Sequence, residues 1–175
     1  MLRSYDDYYD TIAKGYDELY KEEQLKKLDF IAHCINKHHE LSEFIKPGYR
    51  LLDVGCGTGI STQYFDVKEK CGIDPSQTLI MIAVDKYPKI KFLVIAAEEM
   101  PFLKKEFDIV ISLTAIQNFS DIEKGLLKIK DSGKRFILTF LKLGEKRSMI
   151  ESLIEKNFQV IKRFEQEKDI VYFCE

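Results

Sequence analysis

A short apolar strand that runs into three alternating glycines limits the fold of this chain more than any other feature. Residues 51–59 read Leu-Leu-Asp-Val-Gly-Cys-Gly-Thr-Gly. Gly55, Gly57 and Gly59 have no Cβ, so the chain can turn tightly there and present backbone N–H groups to a ligand. The third glycine comes too early for the Gly-x-Gly-x-x-Gly dinucleotide motif, and no Lys-Ser or Lys-Thr follows as in a P-loop. Asp53 would repel a phosphate, so the loop predicts a small-molecule ligand that is cationic at one end.

Predicted strands and helices alternate through the middle of the chain. Apolar runs predict strands at 51–54, 70–73, 91–96, 107–113 and 135–141, and the continuous runs among them are typical of a parallel sheet buried on both faces. Helices are predicted at 60–65, 75–86, 121–130 and 147–156. A Ser132-Gly133 break precedes the fifth strand. Two N-terminal helical pieces, at 5–19 and 22–45, precede the first strand and end at Pro47-Gly48.

The last two predicted strands decide the topology. Residues 158–164 and 170–173 are joined by a link that is too short for the crossover that parallel neighbours need, so they must be antiparallel. The expected fold class is therefore α/β, a doubly wound seven-stranded, mostly parallel sheet with one antiparallel strand from a C-terminal hairpin. A length of 175 residues fits one structural domain. Within it, residues 1–47 are expected to form a helical arm or lid over a core of residues 48–175.

Charge, hydropathy and cysteine usage exclude several classes of protein. A formal net charge of −2 predicts no general affinity for nucleic acid. The first residues have no apolar core of signal-peptide length, and no apolar run approaches the roughly 18 residues of a membrane span, so a cytoplasmic protein without a membrane partner is expected. The four cysteines form no C-x-x-C pair and the three histidines have no matching ligand spacing, which predicts reduced thiols and no metal.

Four segments, in order, resemble the motifs of class I S-adenosylmethionine-dependent methyltransferases of the small methyltransferase type 11 kind. They are residues 51–59, Ile73-Asp74-Pro75-Ser76, residues 97–102 and residues 107–112. Residues 9–17 also resemble the N-terminal helix that closes over the cofactor in many members. The resemblance implies a Rossmann-like methyltransferase fold, S-adenosylmethionine as cofactor, and a transferase that methylates an acceptor. It further implies a cofactor-binding set of Tyr16, Asp53, Gly55, Cys56, Gly57, Gly59, Asp74, Pro75, Glu98 and Leu113.

Two aspartates in this set have alternative roles. Asp74 lies about 20 residues past the first glycine, at the end of a strand, where a carboxylate can accept from both ribose hydroxyls. It could also cap the helix that begins at Pro75. Asp53 could contact the cofactor's ammonium group, or it could order the glycine loop by accepting from its backbone N–H groups. The sequence leaves both pairs of alternatives open.

Other members of the set also have structural alternatives. Near the position of Glu98, family members read the adenine amino group with an acidic side chain or with neighbouring backbone, and Glu98 could instead be a surface acid of a loop. Leu113 ends the fourth strand at the ligand-binding edge of the sheet, or belongs to the core. Cys56 has no activating partner in the sequence, so we interpret it as a small filler beside a backbone contact with the ligand.

The acceptor is less well determined than the cofactor. Tyr9, Gln117 and Asn118 are candidate substrate contacts, although Tyr9 could simply pack and the other two could cap a helix at Asp121. No catalytic base is identified. The fourth strand is followed neither by the Asn-Pro-Pro-Tyr signature nor by a Pro-Cys motif, and a small-molecule acceptor fits best. The alternatives are an RNA methyltransferase with a basic surface at 124–147, a non-catalytic S-adenosylmethionine-binding module, and a nicotinamide-binding protein.

Overall fold

Helices and strands alternate along the chain after one long N-terminal helix. The structure is a computed structural model that describes the backbone of residues 5–175 and the side chains of residues 21–175. The helices are α1 (Tyr5–Lys37), α2 (Ile60–Tyr64), α3 (Gln77–Lys86), α4 (Ile122–Ser132) and α5 (Arg147–Asn157). The strands are β1 (Arg50–Val54), β2 (Glu69–Asp74), β3 (Lys91–Val94), β4 (Phe107–Leu113), β5 (Gly133–Leu141), β6 (Val160–Glu165) and β7 (Asp169–Cys174).

All seven strands form one sheet in the order β3-β2-β1-β4-β5-β7-β6. Strands β1 to β5 pair in parallel, whereas β7 is antiparallel to both of its neighbours, β5 and β6. This arrangement confirms the predicted fold class and its single reversed strand. The strand order changes direction between β1 and β4, and open α/β sheets bind ligands beside the carboxyl ends of the strands at such a point.

Alternate residues of the central strands face two hydrophobic clusters on opposite sides of the sheet. Leu51 of β1 packs in the same cluster as Leu28 and Ile31 of α1. Leu52, one residue later, packs on the other side with side chains that include Leu126 of α4. Because successive side chains of a strand point to opposite faces, one short apolar run supplies both layers of the core.

The N-terminal helix differs from the prediction of two helical pieces. Helix α1 is continuous as far as Lys37, and a separate 3-10 turn follows at His39–Leu41. Only Tyr20 and Lys21 lie between the predicted pieces, and neither is a glycine or a proline, so nothing there ends the helix. The helix stops where His38 takes an extended conformation, with φ −108° and ψ 115°.

The predicted Ser132-Gly133 break is the point at which helix gives way to strand, although no loop residues separate the two elements. Helix α4 continues to Ser132 and β5 begins at Gly133, whose backbone is extended, with φ −131° and ψ 175°. A Cβ at this position would lie 2.4 Å from Cγ2 of Val110 in the adjacent strand. The glycine is therefore needed for close packing of two strands rather than for a turn.

The remaining global predictions concern cysteines and membrane segments. All four cysteines are free, as predicted, and all four are buried. Across residues 5–175, no helix combines the length and the apolar character that crossing a bilayer requires.

Candidate functional site

The glycine loop connects β1 to α2 and has an unusual backbone. Gly55, Gly57 and Gly59 have φ angles of 77°, 54° and 83°, in the left-handed region that side chains with a Cβ rarely adopt. The N–H groups of Gly55 and Cys56 donate to the carbonyl oxygen of Ile73, at 2.8 and 3.0 Å, and tie the loop to the end of β2. A Cβ on Gly55 would lie only 2.3 Å from the Cβ of Ala115. Both the backbone conformation and the space around Gly55 therefore require glycine.

Asp74 joins the glycine loop to the start of α3. Its Oδ2 accepts from the backbone N–H of Gly57, and its Oδ1 accepts from that of Ser76, each at 2.9 Å. The side chain of Ser76, not that of Asp74, caps α3 by accepting from the N–H of Leu79 at 3.3 Å. Helix α3 begins at Gln77, so the interpretation of Asp74 as the helix cap is wrong.

Asp53 is completely buried behind the loop. Its Oδ2 accepts from the hydroxyls of Ser61 and Thr62, at 2.6 and 2.7 Å, and these residues belong to the first turn of α2. Its Oδ1 has no hydrogen-bond partner among the described residues. Burial raises the pKa of Asp53 from its ordinary 3.8 to about 6, although the two hydroxyls oppose the shift. Asp53 therefore holds the loop through helix hydroxyls rather than through the loop N–H groups that the sequence suggested.

A cavity of about 400 Å³ lies at the carboxyl edge of the sheet, in front of the glycine loop. Its walls come from the loop, the start of α3, the segment after β3 and the segment after β4. The lining residues are Gly55, Gly57, Asp74, Pro75, Ser76, Leu79, Ile95, Ala96, Ala97, Glu98, Ala115, Asn118, Phe119 and Ser120. The cavity thus brings together six of the predicted site residues, namely Gly55, Gly57, Asp74, Pro75, Glu98 and Asn118.

Glu98 connects two walls of this cavity. It lies in a 3-10 turn after β3 and is only 7% exposed, so the interpretation as a surface acid is wrong. Its Oε1 accepts from the hydroxyl of Ser120 at 3.0 Å and from the backbone N–H of Asp121 at 2.9 Å. Asp121 is the N-cap of α4, so Glu98 fixes the start of that helix relative to the cavity.

Four of the other predicted cofactor residues lie outside the cavity lining. Asp53 supports the loop from behind. Gly59 is the N-cap of α2 and ends the loop. Leu113 packs in the cluster on the α1 side of the sheet, as its structural alternative predicted. Cys56 packs against α3, and burial raises the pKa of its thiol well above its usual value, which favours the uncharged form.

The predicted acceptor contacts are only partly placed. Asn118 lines the cavity. The side chain of Gln117 turns away and donates from Nε2 to the carbonyl oxygen of Thr114 at 2.7 Å. Tyr9 and Tyr16 were also predicted, and their side chains lie outside the described residues.

Sequence reasoning did not identify several apolar lining residues. Leu79, Ile95 and Ala115 carry no chemical group that would distinguish them from core residues. The only signal was position, because each follows closely on the carboxyl end of β2, β3 or β4. Among the described residues, no group of three or more His, Cys, Asp and Glu side chains is arranged to bind a metal ion.

The basic residues of segment 124–147 are distributed over both ends of strand β5. Lys134 and Arg135 lie at the start of β5, whereas Lys142 and Arg147 follow its end. Each of these four side chains also forms an ion pair. The pairs are Lys134–Asp108 (2.6 Å), Arg135–Glu175 (3.1 Å), Lys142–Glu165 (2.9 Å) and Arg147–Glu151 (3.0 Å).

Sequence comparison finds methyltransferases. Residues 52–135 match the sequence model of a protein family that is described as "Methyltransferase domain". An uncharacterized protein of Methanocaldococcus jannaschii is 32% identical over 160 residues, which are 89% of this chain and 59% of that protein. A demethylmenaquinone methyltransferase of Chlorobaculum tepidum is 31% identical over 127 residues, which are 71% of this chain and 47% of that protein. The chain therefore spans about half the length of these curated relatives.

Solved structures with the same fold are more distant in sequence. The PH0226 protein of Pyrococcus horikoshii OT3 has a TM-score of 0.75 and 17% identity, with 96% of this chain and 97% of that chain covered. Magnesium protoporphyrin IX methyltransferase of Synechocystis PCC 6803, solved with bound S-adenosylmethionine, has a TM-score of 0.65 and 16% identity, with coverage of 87% and 78%. These likenesses confirm the Rossmann-like fold that the sequence motifs implied.

Proposed function

Because the chain belongs to the class I S-adenosylmethionine-dependent methyltransferases and has S-adenosylmethionine as its cofactor, we propose that it methylates a small-molecule acceptor. The observation that carries this proposal is the cavity of about 400 Å³ that the glycine loop, Asp74 and Glu98 line together. Ligand sites of roughly 300–1,000 Å³ are typical for small molecules.

Three features of the described residues fit this cofactor. Gly55 and the rest of its loop bring bare backbone to the cavity, as close approach of a ligand requires. Asp53 lies directly behind the loop, where its Oδ1 has no partner among the described residues, and its negative charge favours a cationic group on the cavity side of the loop. Leu79, Ile95 and Phe119 supply apolar surface against which a flat ring can pack.

The two carboxylates of the cavity are proposed to orient the nucleoside part of the cofactor. Asp74 lines the cavity and its carboxylate is oriented by the backbone N–H groups of Gly57 and Ser76, so it is proposed to accept from the two ribose hydroxyls. Glu98 is proposed to recognise the adenine amino group from the opposite wall. Both side chains are held by backbone donors, which favours positioning of the ligand over proton transfer.

Methyl transfer places few demands on the protein beyond geometry. Bound S-adenosylmethionine supplies a methyl group that is activated by a positively charged sulfur. The chain must hold the attacking atom about 3–3.5 Å from the methyl carbon and in line with the bond that breaks. It must also keep water out of the site. The segment after β4, which carries Ala115, Asn118 and Phe119 along one wall, is proposed to do both.

A small acceptor is favoured over RNA for two reasons. The similar protein of Chlorobaculum tepidum is a demethylmenaquinone methyltransferase, which supports a small organic acceptor. The basic residues of segment 124–147 are distributed over both ends of β5 and partly neutralised by ion pairs, and the net charge is −2. The RNA and non-catalytic alternatives remain predictions that the following experiment separates.

The test combines ligand binding with transfer of a labelled methyl group. Calorimetry with S-adenosylhomocysteine is expected to show binding by the wild type and by Gly48→Ala, a control at an open surface position, and weaker binding by Asp74→Ala. Methyl-labelled S-adenosylmethionine is then offered with quinols, phenols and thiols, and separately with total tRNA and rRNA. Label in an organic acceptor would support the proposal. Label in RNA, or binding without any transfer, would contradict it.

A further inference from the structure

Thr114, the residue that follows β4, has a left-handed backbone with φ 56°. The other non-glycine residue with positive φ among residues 5–175 is Lys105. A β-branched residue in this region is a genuine outlier. Such a conformation persists only where the surroundings hold it, and it is often found at functional sites.

Three separate elements hold Thr114 in place. Its N–H donates to Oγ1 and to the carbonyl oxygen of Thr139 in β5, at 2.8 and 3.0 Å. Its hydroxyl donates to Oδ1 of Asp169 in β7 at 2.9 Å and accepts from Nζ of Lys27 in α1. Lys27 and Asp169 are each 3% exposed and form a 2.9 Å ion pair, so the hydroxyl of Thr114 completes a buried polar cluster.

The conformation of Thr114 sets the direction of the next cavity wall. Ala115 follows immediately and packs closely on Gly55. A Cβ added at Gly55 would lie 2.3 Å from the Cβ of Ala115. The carbonyl oxygen of Thr114 accepts from Gln117, which fixes the 3-10 turn at Ile116–Asn118. Ala115, Asn118 and Phe119 then line the cavity.

We propose that Thr114 is a positioning residue for the cofactor, whose left-handed backbone, held by Thr139, Asp169 and Lys27, sets the wall that faces the glycine loop. This inference rests on the proposed function, because it requires that the cavity binds S-adenosylmethionine and its product. The hydrogen bonds of the Thr114 hydroxyl hold the backbone of this residue in its left-handed conformation.

The test compares three small replacements by calorimetry with S-adenosylhomocysteine, together with their melting temperatures. Thr114→Ser keeps the hydroxyl and should bind within twofold of the wild type. Thr114→Gly and Thr114→Ala both lose the hydroxyl, but only glycine adopts positive φ without strain. Binding should therefore weaken by at least threefold more in the alanine variant than in the glycine variant. If Thr114 serves only stability, affinity will not separate these two variants.

The possible outcomes are distinct. Equal affinity of the alanine and glycine variants, or tighter binding by alanine, would overturn this inference even if both melting temperatures fall. Weak binding by Thr114→Ser would also overturn it, because the hydroxyl would then not be the group that holds the backbone of residue 114 in place. A wild type that binds no S-adenosylhomocysteine would overturn the proposed function as well. The control Gly48→Ala makes the same glycine–alanine exchange at an open position and should bind like the wild type.

Discussion

Replacement of Gly55 by alanine should destabilise the protein through two separable costs. An alanine with φ 77° must adopt a left-handed conformation, which costs roughly 1–2 kcal/mol. Its Cβ would also lie 2.3 Å from the Cβ of Ala115, where carbon atoms prefer about 3.5–4.0 Å. Overpacking of this kind costs roughly 1–3 kcal/mol. Together these terms predict that Gly55→Ala lowers the free energy of unfolding by about 2–5 kcal/mol.

The overpacking against Ala115 can be removed while the cost of the left-handed backbone at residue 55 remains. The single variant Ala115→Gly should lose about 1–2 kcal/mol of stability, from backbone entropy and from the loss of one partly buried methyl group. In the double variant the methyl group added by Gly55→Ala occupies the space that Ala115→Gly vacates, so only the strain of the left-handed backbone and the added glycine entropy remain. The double variant should therefore be more stable than the sum of the single effects implies, by about 1–3 kcal/mol.

Urea unfolding of the wild type, both single variants and the double variant measures this coupling. Gly48→Ala is the matched control, because no atom lies within 4 Å of the added Cβ. Calorimetry with S-adenosylhomocysteine shows in parallel whether relief of the clash restores ligand binding. If the two single effects add within about 0.5 kcal/mol, the contact between Gly55 and Ala115 does not have the importance assigned to it.

Three further predictions concern charged side chains. Asp74→Ala should weaken binding of S-adenosylhomocysteine by about 1–3 kcal/mol through lost charge-assisted hydrogen bonds, and unchanged calorimetric affinity would refute its role. Because the pKa of Asp53 is raised to about 6, the folded chain keeps a proton that the unfolded chain loses from about pH 4 upward. The stability of the wild type relative to Asp53→Asn should therefore fall by up to about 3 kcal/mol between about pH 4 and pH 7, and parallel urea-unfolding profiles of the two proteins would argue against this. Lys27→Met leaves Asp169 buried without its cation and should cost about 3–5 kcal/mol in the same unfolding assay, whereas a loss below about 1 kcal/mol would mean that the pair contributes little.

The sequence predicted those elements whose cause is local. Strand β4 occupies 107–113 as predicted, because a run of apolar residues, interrupted only by Asp108 and Ser112, ends at polar residues on both sides. The hairpin of β6 and β7 was predictable because a short link permits only an antiparallel pair. The end of α1 was not predictable, because neither glycine nor proline marks Lys37 as the last residue of a helix.

The site divides in the same way. The glycine loop was recognisable because its left-handed backbone requires glycine at Gly55, Gly57 and Gly59. The partners of Asp53 were not, because only the packed orientation of α2 brings the hydroxyls of Ser61 and Thr62 to its carboxylate. The strained backbone of Thr114 is likewise a product of tertiary contacts, and nothing in its sequence neighbourhood indicates it.

The ion pair between Lys27 and Asp169 has a consequence for the order in which the chain folds. Helix α1 can form early from local contacts, but burying Lys27 against the sheet is costly until Asp169 is in place beside β5. We therefore expect α1 to dock only after the terminal hairpin has joined the sheet. Substitutions of Lys27 should then accelerate unfolding and leave the refolding rate nearly unchanged.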